Sequence, residues 1–298
     1  MASIAHAGDP HSYGDPVMDH PPPALPISSD RWSRLARAAG IGAGERLAVA
    51  LSGGADSVLV LHLVAAARPR PPLLAIHADH GLRGPASRGD ALFCRDLCAA
   101  LAVPFRELRL DLDPARPSLE ARARAARYAA LAAECRRTGH LTLVTGHHAD
   151  DALETLLLRW IRGSDPAGLA GPRAVTMLAP PPGAPAPAVR VVRPLLAWRR
   201  EEVRRFLLDR GLSWREDASN DDLSFARNRV RHRLLPLLSR LGGAEEIANL
   251  RAFGRAVEDL EARFAAATAP LAWLSPPYAL LDPRWPASRG GVLPRAAL

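Results

Sequence analysis

The 298-residue chain contains no lysine, so all 39 of its basic residues are arginine. This excludes a Walker-type phosphate loop, in which a lysine follows the glycines to reach the terminal phosphates. Cysteine is nearly as scarce: Cys94 and Cys98 lie one helical turn apart and Cys135 is distant. That spacing lacks the CxxC pairs of a zinc ribbon or redox centre, and the thiols read as free and buried. No apolar run approaches the roughly 20 residues that cross a bilayer, and no basic head precedes an apolar stretch at the N-terminus. The expectation is a cytoplasmic protein with no membrane partner. What the chain does have is 48% apolar residues, enough for one large domain and a smaller one, and a formal charge of +8 that favours a polyanionic partner. Arginine enrichment without lysine also fits a nucleotide-composition bias, so charge alone is weak evidence.

The chain is organised around Leu47 to Ser57, where an apolar run breaks into Ser52-Gly53-Gly54-Ala55-Asp56-Ser57 and resumes as the helical pattern Val58 to Ala67. Strand, tight turn and helix follow from that punctuation. The glycines let backbone N–H groups face an anion, Ser52 and Ser57 add hydroxyls, and the helix presents its positive end. Asp56 would repel phosphate unless it holds Mg²⁺ or caps the helix.

Residues 1–29, rich in proline, read as a disordered leader, and Asp30 as the cap of a first helix through Trp32 and Leu35. A strand Leu73 to Ile76 ends in His77-Ala78-Asp79-His80-Gly81-Leu82-Arg83, followed by a helix Ser87 to Leu101 and a strand near Phe105 to Leu110. On a helix from Ser118 to Thr138, the spacing of Glu120, Arg124, Arg127 and Tyr128 places them on one face. The strand Leu141 to Thr145 runs into Gly146-His147-His148-Ala149-Asp150-Asp151 and a helix to Arg162. Strand, polar motif and helix recurring three times predict an α/β fold with a parallel sheet, with the motifs meeting at the strands' carboxyl ends. Gly163 to Pro187 reads as a loop, and Val189 to Val192 as a strand. An amphipathic helix spans Trp198 to Arg210, and an arginine cluster Arg227 to Arg233 opens a helix ending near Leu241. That cluster suits RNA backbone contact, although acidic residues over the same span mark part of it as solvated surface. Beyond a hinge at Gly242 and Gly243, Ala244 to Ala267 is a helix with an apolar stripe, and the remainder is proline-rich.

The Ser52 to Ser57 motif resembles the pyrophosphate loop of the N-type ATP pyrophosphatases, which split ATP between its α- and β-phosphates and adenylate a substrate. Several further motifs extend the likeness: His77-x-Asp79-His80-Gly81-Leu82-Arg83; Glu120 with Arg124, Arg127 and Tyr128; and Gly146-His147-His148-x-Asp150-Asp151 before Glu154-Thr155. Downstream, Arg193-Pro194-Leu195-Leu196 and Trp214-x-x-Asp217-x-Ser219-Asn220, leading to Arg227-Asn228 and Pro236, complete the set. Together they resemble the tRNA(Ile)-lysidine synthetase family from about Arg46 to Leu241. The chain departs from that pattern at Pro172, and it ends early relative to long members with C-terminal tRNA-recognition domains.

The resemblance implies a Rossmann-like PP-loop ATPase domain over 30–241 and a short helical region over 242–298. It implies ATP, L-lysine and the CAU-anticodon tRNA(Ile) as substrates, and Mg²⁺ as cofactor. Ser52, Gly53, Gly54, Ala55, Asp56 and Ser57 would bind ATP, and Asp56 and Asp151 would hold Mg²⁺. Asp56, Asp150, Asp151, Arg124 and His80 would be catalytic, with capping of their own helix the lesser alternative for Asp150 and Asp151, while a hydrogen-bonded structural histidine is as good a reading of His80. Arg124, Arg127, His147, Arg227, Arg229 and Arg231 would hold substrate. A homodimer is left open. The competing readings are a tRNA thiolase of the same superfamily, which calls for CxxC cysteines, and a non-catalytic RNA-binding protein.

Overall fold

Leu47–Ala50 (β1) lies between two parallel neighbours, and its alternating side chains feed two different cores: Leu47 and Val49 one, Ala48 the other. Strands covered on both faces read as continuous apolar runs, which is why this segment was legible as a buried strand. The computed structural model describes residues 27–79, 81, 85–113, 119–164, 171–216 and 221–242, with shorter stretches between 248 and 280.

In chain order, Ser29–Ala38 (α1), β1, Ala55–Ala65 (α2), Leu73–Asp79 (β2), Pro85–Ala100 (α3), Phe105–Arg109 (β3), Leu119–Thr138 (α4) and Thr142–Val144 (β4) come first. Ala149–Ile161 (α5), Val175–Leu178 (β5), Val189–Val192 (β6) and Arg200–Leu208 (α6) follow. A helical rod closes the domain: Ala226–Arg229 (α7), a π-helical stretch Val230–Leu234, and Leu235–Gly242 (α8). The six-stranded sheet has the order β3-β2-β1-β4-β6-β5, parallel except for β5. A two-residue ladder pairs Ala272–Trp273 with Ala279–Leu280.

α2 is apolar around its whole circumference and correspondingly buried, with the sheet beneath it and residues of α1, α3 and α6 completing its core. α4 covers the opposite face through Leu131, Ala132 and Cys135, which makes the sheet doubly wound. α5 packs separately, its Leu153, Leu156 and Leu157 against Val230 and Leu235 of the rod. At the other end of the sheet Arg190 of β6 bonds Glu45 through both carboxylate oxygens, at 2.6 and 2.8 Å, and the Gly40 carbonyl at 2.7 Å. Thr142 of β4 donates a short hydrogen bond to the same carboxylate.

Several expectations are corrected. The stretch Gly163 to Pro187 is not all loop, because β5 forms an antiparallel edge within it. β2 continues three residues past Ile76, placing His77 inside the sheet rather than on its polar rim; its Nδ1 lies 2.8 Å from the Leu51 carbonyl. Ile27, assigned to the leader, is buried in the core, and the residue preceding α1 is Ser28, not Asp30. Ser29 opens α1, whereas residues 1–26 of the leader and much of the C-terminal helix lie outside the described residues; Leu250 packs on the α5 cluster.

Leu59 of α2 is 0% exposed. Leu59→Ala should lower unfolding stability by about 3 kcal/mol, read from the denaturant midpoint, and a loss under about 1 kcal/mol would contradict the central packing of α2.

Candidate functional site

From β1 the chain proceeds to β2 on one side, and β4 is added on the other side only after the crossover through α4, so the strand order reverses between β1 and β4. At such a reversal a crevice opens outside the strands' carboxyl ends. Here it measures about 430 Å³ and is bounded by the loops after β1 and β4, by α4, and by arginines from α6, the segment after it, and the rod.

Gly53 adopts a φ of +90°, in the left-handed region that favours glycine. Ser57 is buried and donates to the Gly54 carbonyl at 2.9 Å while accepting from the Ser52 N–H at 3.1 Å. With its single proton committed, the 3.1 Å contact between the two hydroxyls has Ser52 as donor. Ser57 therefore shapes the loop from within, a different part from the phosphate donor expected of it, and Ser52 carries the exposed hydroxyl. No side chain caps α2, whose N-cap is Gly54, so the helix offers its positive end to the crevice.

The β4 loop reaches this helix start by a backbone approach that only glycine permits. A Cβ on Gly146 would come within 2.7–2.9 Å of the Asp56 carbonyl group and Cβ. Two residues on, fully buried His148 begins α5 in a capping box: its Nδ1 accepts from Asp151 N–H at 3.3 Å, and its own N–H donates to Asp151 Oδ2 at 3.0 Å. With Nδ1 accepting, the ring carries its proton on Nε2, 3.7 Å from Asp56 Oδ1. Both Nε2 and Oδ1 are buried without a hydrogen-bond partner among the described residues. Burial pushes the Asp56 carboxyl above its usual range, with the His148 ring opposing. Burial acts the same way on Asp151, but His148 and then Arg227 prevail and hold it below the usual carboxylate range.

Glu154, one turn beyond Asp151, is 1% exposed and gathers the arginines. Arg227 Nε and Arg231 Nε each donate to it at 2.7 Å, and Arg200 Nη2 lies at 3.5 Å. Arg227 also reaches Asp151 Oδ1 at 3.1 Å. One buried carboxylate and its neighbour thus preorganise three guanidiniums at the crevice wall. Across it, α4 presents Arg124, with its guanidinium 5.1 Å over the Tyr128 ring, and Arg127, whose Nε is buried without a hydrogen-bond partner among the described residues. Burial, then Arg124, lowers the Arg127 pKa.

The structure therefore brings Ser52, Gly54, Ala55, Asp56, Ser57, Arg124, Arg127, His147, Asp151, Arg227 and Arg231 to one crevice. It does not bring Asp150 or Arg229 there. Asp150 Oδ2 accepts from the Arg200 backbone N–H at 2.8 Å, so it caps the neighbouring helix α6 rather than its own. Arg229 bonds the Leu223 and Ser224 carbonyls on the outer side of the rod. The arginine cluster expected on an outward RNA face is thus split, with Arg227 and Arg231 turned inward. His80, the Glu120 side chain, Ser219 and Asn220 lie outside the described residues. The sequence motifs contained His148 and Glu154 without assigning them a role, and Arg200, Arg204 and Arg215 were not singled out; an ionisable residue one turn past a motif carboxylate was the available signal for Glu154. Cys94, Cys98 and Cys135 are buried and free as expected, with burial pushing each thiol up to about 12. Among the described residues no helix is long and apolar enough to cross a membrane.

A family model described as a PP-loop domain matches residues 30–238. The chain is 40% identical over 221 residues to a tRNA(Ile)-lysidine synthase of Solibacter usitatus, a match covering 72% of this chain and 46% of that protein. To the synthase of Geobacter sulfurreducens it is 42% identical, covering 69% and 43%, and to that of Pseudomonas syringae pv. tomato 38%, covering 79% and 53%. The chain thus spans about half the length of the curated relatives it matches. Among solved structures, the U34-tRNA thiolase NcsA of Methanococcus maripaludis superposes with a TM-score of 0.60 at 17% identity, covering 78% of this chain and 79% of that one, a likeness of fold.

His147 is held neutral: burial drives its pKa down to about 3, while Nδ1 lies 3.0 Å from Thr145 Oγ1. Unfolded, the ring takes a proton near pH 6.5, so the unfolded state binds more protons between those values and folding weakens as pH falls through that window. His147→Gln should flatten the stability profile between pH 6.5 and 4 relative to the parent, by up to about 1.4 kcal/mol per pH unit. Parallel profiles would contradict the burial of a neutral ring.

Proposed function

We propose, from the premise that this chain belongs to the PP-loop domain family, that it carries the catalytic half-reactions of lysidine formation. ATP adenylates the wobble cytidine of the CAU-anticodon tRNA(Ile), and free L-lysine then displaces AMP. The enzyme class is a ligase forming a carbon–nitrogen bond, acting in the cytoplasm. The observation that carries this reading is the likeness to tRNA(Ile)-lysidine synthases at about 40% identity, together with a family match over 30–238 that contains every crevice residue named above.

In the first step the carbonyl oxygen on carbon 2 of the cytidine attacks the α-phosphate, and pyrophosphate leaves. Charge grows on phosphate oxygens, and the groups that answer it are preorganised: the uncapped N-terminus of α2, the Ser52 hydroxyl, and Arg227 and Arg231 fixed by Glu154. Arg127, buried and lacking a partner for Nε, is aligned to receive an anionic oxygen. Mg²⁺ fits this site, since Asp56 Oδ1 is a buried carboxylate oxygen without a partner and Mg²⁺ characteristically takes one or two carboxylates plus substrate phosphates. Asp56 and Asp151 would hold it, and bound there it would neutralise charge on the transferring phosphates.

In the second step the lysine amine attacks carbon 2 and the bond to AMP breaks. The depressed pKa of Asp151 keeps it anionic, so this carboxylate suits an ammonium group as the alternative to Mg²⁺. The ammonium proton must leave before attack, but burial lowers the His147 pKa to about 3, too weak a base to take it, so His147 offers the crevice a neutral hydrogen-bonding ring instead. The base itself has to be unstacked from the anticodon loop to enter so narrow a crevice. A thiolase reading is not favoured, because the cysteines are buried with raised pKa values and are unsuited to bind sulfur or a cluster.

Pyrophosphate release from ATP, with tRNA(Ile), lysine and Mg²⁺ omitted in turn, tests this reading. Release should require tRNA and Mg²⁺, and formation of the lysylated tRNA should also require lysine; turnover without tRNA, or none under any condition, would contradict it.

A further inference from the structure

The phosphate loop is also held by a segment at the crevice edge to which neither proposed step assigns a part. After α6 the chain crosses back over the loop, and the backbone N–H of Arg215 donates to the Gly53 carbonyl at 2.9 Å. The Arg215 side chain continues in the same direction, its Nε donating to Asp90 Oδ1 of α3 at 3.1 Å. That carboxylate side chain is only 8% exposed, so the anchor is set in the protein body. The guanidinium lies over Gly89, where an added Cβ would meet Nη2 at 3.3 Å.

A trans peptide points its carbonyl and its N–H in opposite directions. With the Gly53 carbonyl held by Arg215, the N–H of the Gly53–Gly54 peptide is turned to the other side, toward Ser52 Oγ at 3.4 Å and the crevice. Glycine flanks that peptide on both sides, and Gly53 sits at φ +90°. Apart from the long 3.4 Å contact to Ser52 Oγ, no side chain opposes rotation of this peptide unit, which would aim a carbonyl oxygen at the phosphates instead of an N–H. The permissiveness that lets the loop approach an anion is also what makes its orientation depend on an external hold.

We propose that Arg215 is a positioning residue: its backbone N–H, anchored through its side chain to Asp90, holds the Gly53–Gly54 peptide with its N–H toward the triphosphate. This rests on the loop binding ATP, and the two ideas fail separately. If the parent chain binds no Mg·ATP, the functional reading falls; if it binds and the variants bind equally, only this proposal falls.

Calorimetric titration of Mg·ATP into the full chain, with kinetics on tRNA, provides the test. Arg215→Pro removes the N–H and, like Arg215→Ala, the side chain at the crevice edge. It should weaken ATP by about tenfold, in excess of Arg215→Ala because the loop hydrogen bond is lost as well, raising the KM for ATP while kcat at saturating ATP and the tRNA affinity stay within about twofold. Arg215→Ala and Asp90→Asn keep the N–H but loosen its anchor, and should give about threefold effects in the same direction. ATP affinity within about 1.5-fold of the parent in Arg215→Pro would overturn the proposal. Should that variant fail to fold, Arg215→Ala and Asp90→Asn decide by the same criterion: weaker ATP with kcat preserved upholds it, and parent-like ATP affinity, or kcat and tRNA affinity falling together with it, overturns it.

Discussion

The close approach of Gly146 to the first turn of α2 is the constraint from which the rest of the site follows. Two βα units, adjacent in space but separated by nearly a hundred residues, can present their helix starts to one ligand only if the loop after β4 lies directly on the backbone of Asp56. A side chain there would meet carbonyl and Cβ atoms that cannot swing aside, so the contact separates glycine from every other residue. Once it is made, His148 falls beside Asp56, its capping box fixes Asp151, and α5 carries Glu154 down to the arginines of the rod.

The electrostatics of the crevice then has a simple logic. Guanidiniums are plentiful and cannot be deprotonated, so without design they would repel one another and point into solvent. Buried Glu154 converts that tendency into order by drawing Arg200, Arg227 and Arg231 to a single carboxylate. Three cations around two carboxylates, Glu154 and Asp151, leave a net positive charge at the crevice wall. Under the proposed function, in a chain without lysine, this arrangement would supply the phosphate-binding charge that other nucleotide loops take from a single ammonium.

Much of this was legible from residue order. The apolar run at Leu47, the paired glycines and the returning helical pattern located β1, the loop and α2, and the threefold recurrence of strand, motif and helix gave a parallel sheet with its ligand edge. β5 was not legible because it is a short edge strand, partly exposed and set among prolines, with no continuous apolar run to mark it. The direction of the arginine cluster was hidden for another reason. Arg227 and Arg231 look like a solvated helix face until Glu154, 73 and 77 residues earlier, is folded beneath them. The π-helical stretch Val230–Leu234 within the rod likewise has no residue signature. Asp150 misled because its partner is a backbone N–H 50 residues away, and of two adjacent histidines the pattern singled out His147 and passed over the one that bridges the helix starts.

If the meeting of the two helix starts creates the ATP site, enlarging residue 146 should abolish the site and leave the fold. Mg·ATP binding to Gly146→Ala, measured by calorimetry beside the parent with circular dichroism as a control on folding, is the direct test. The account predicts parent binding, and in a folded variant a loss of at least about tenfold, since the loop must retreat from Asp56 by several tenths of an ångström. Equal affinity in the two proteins would contradict it.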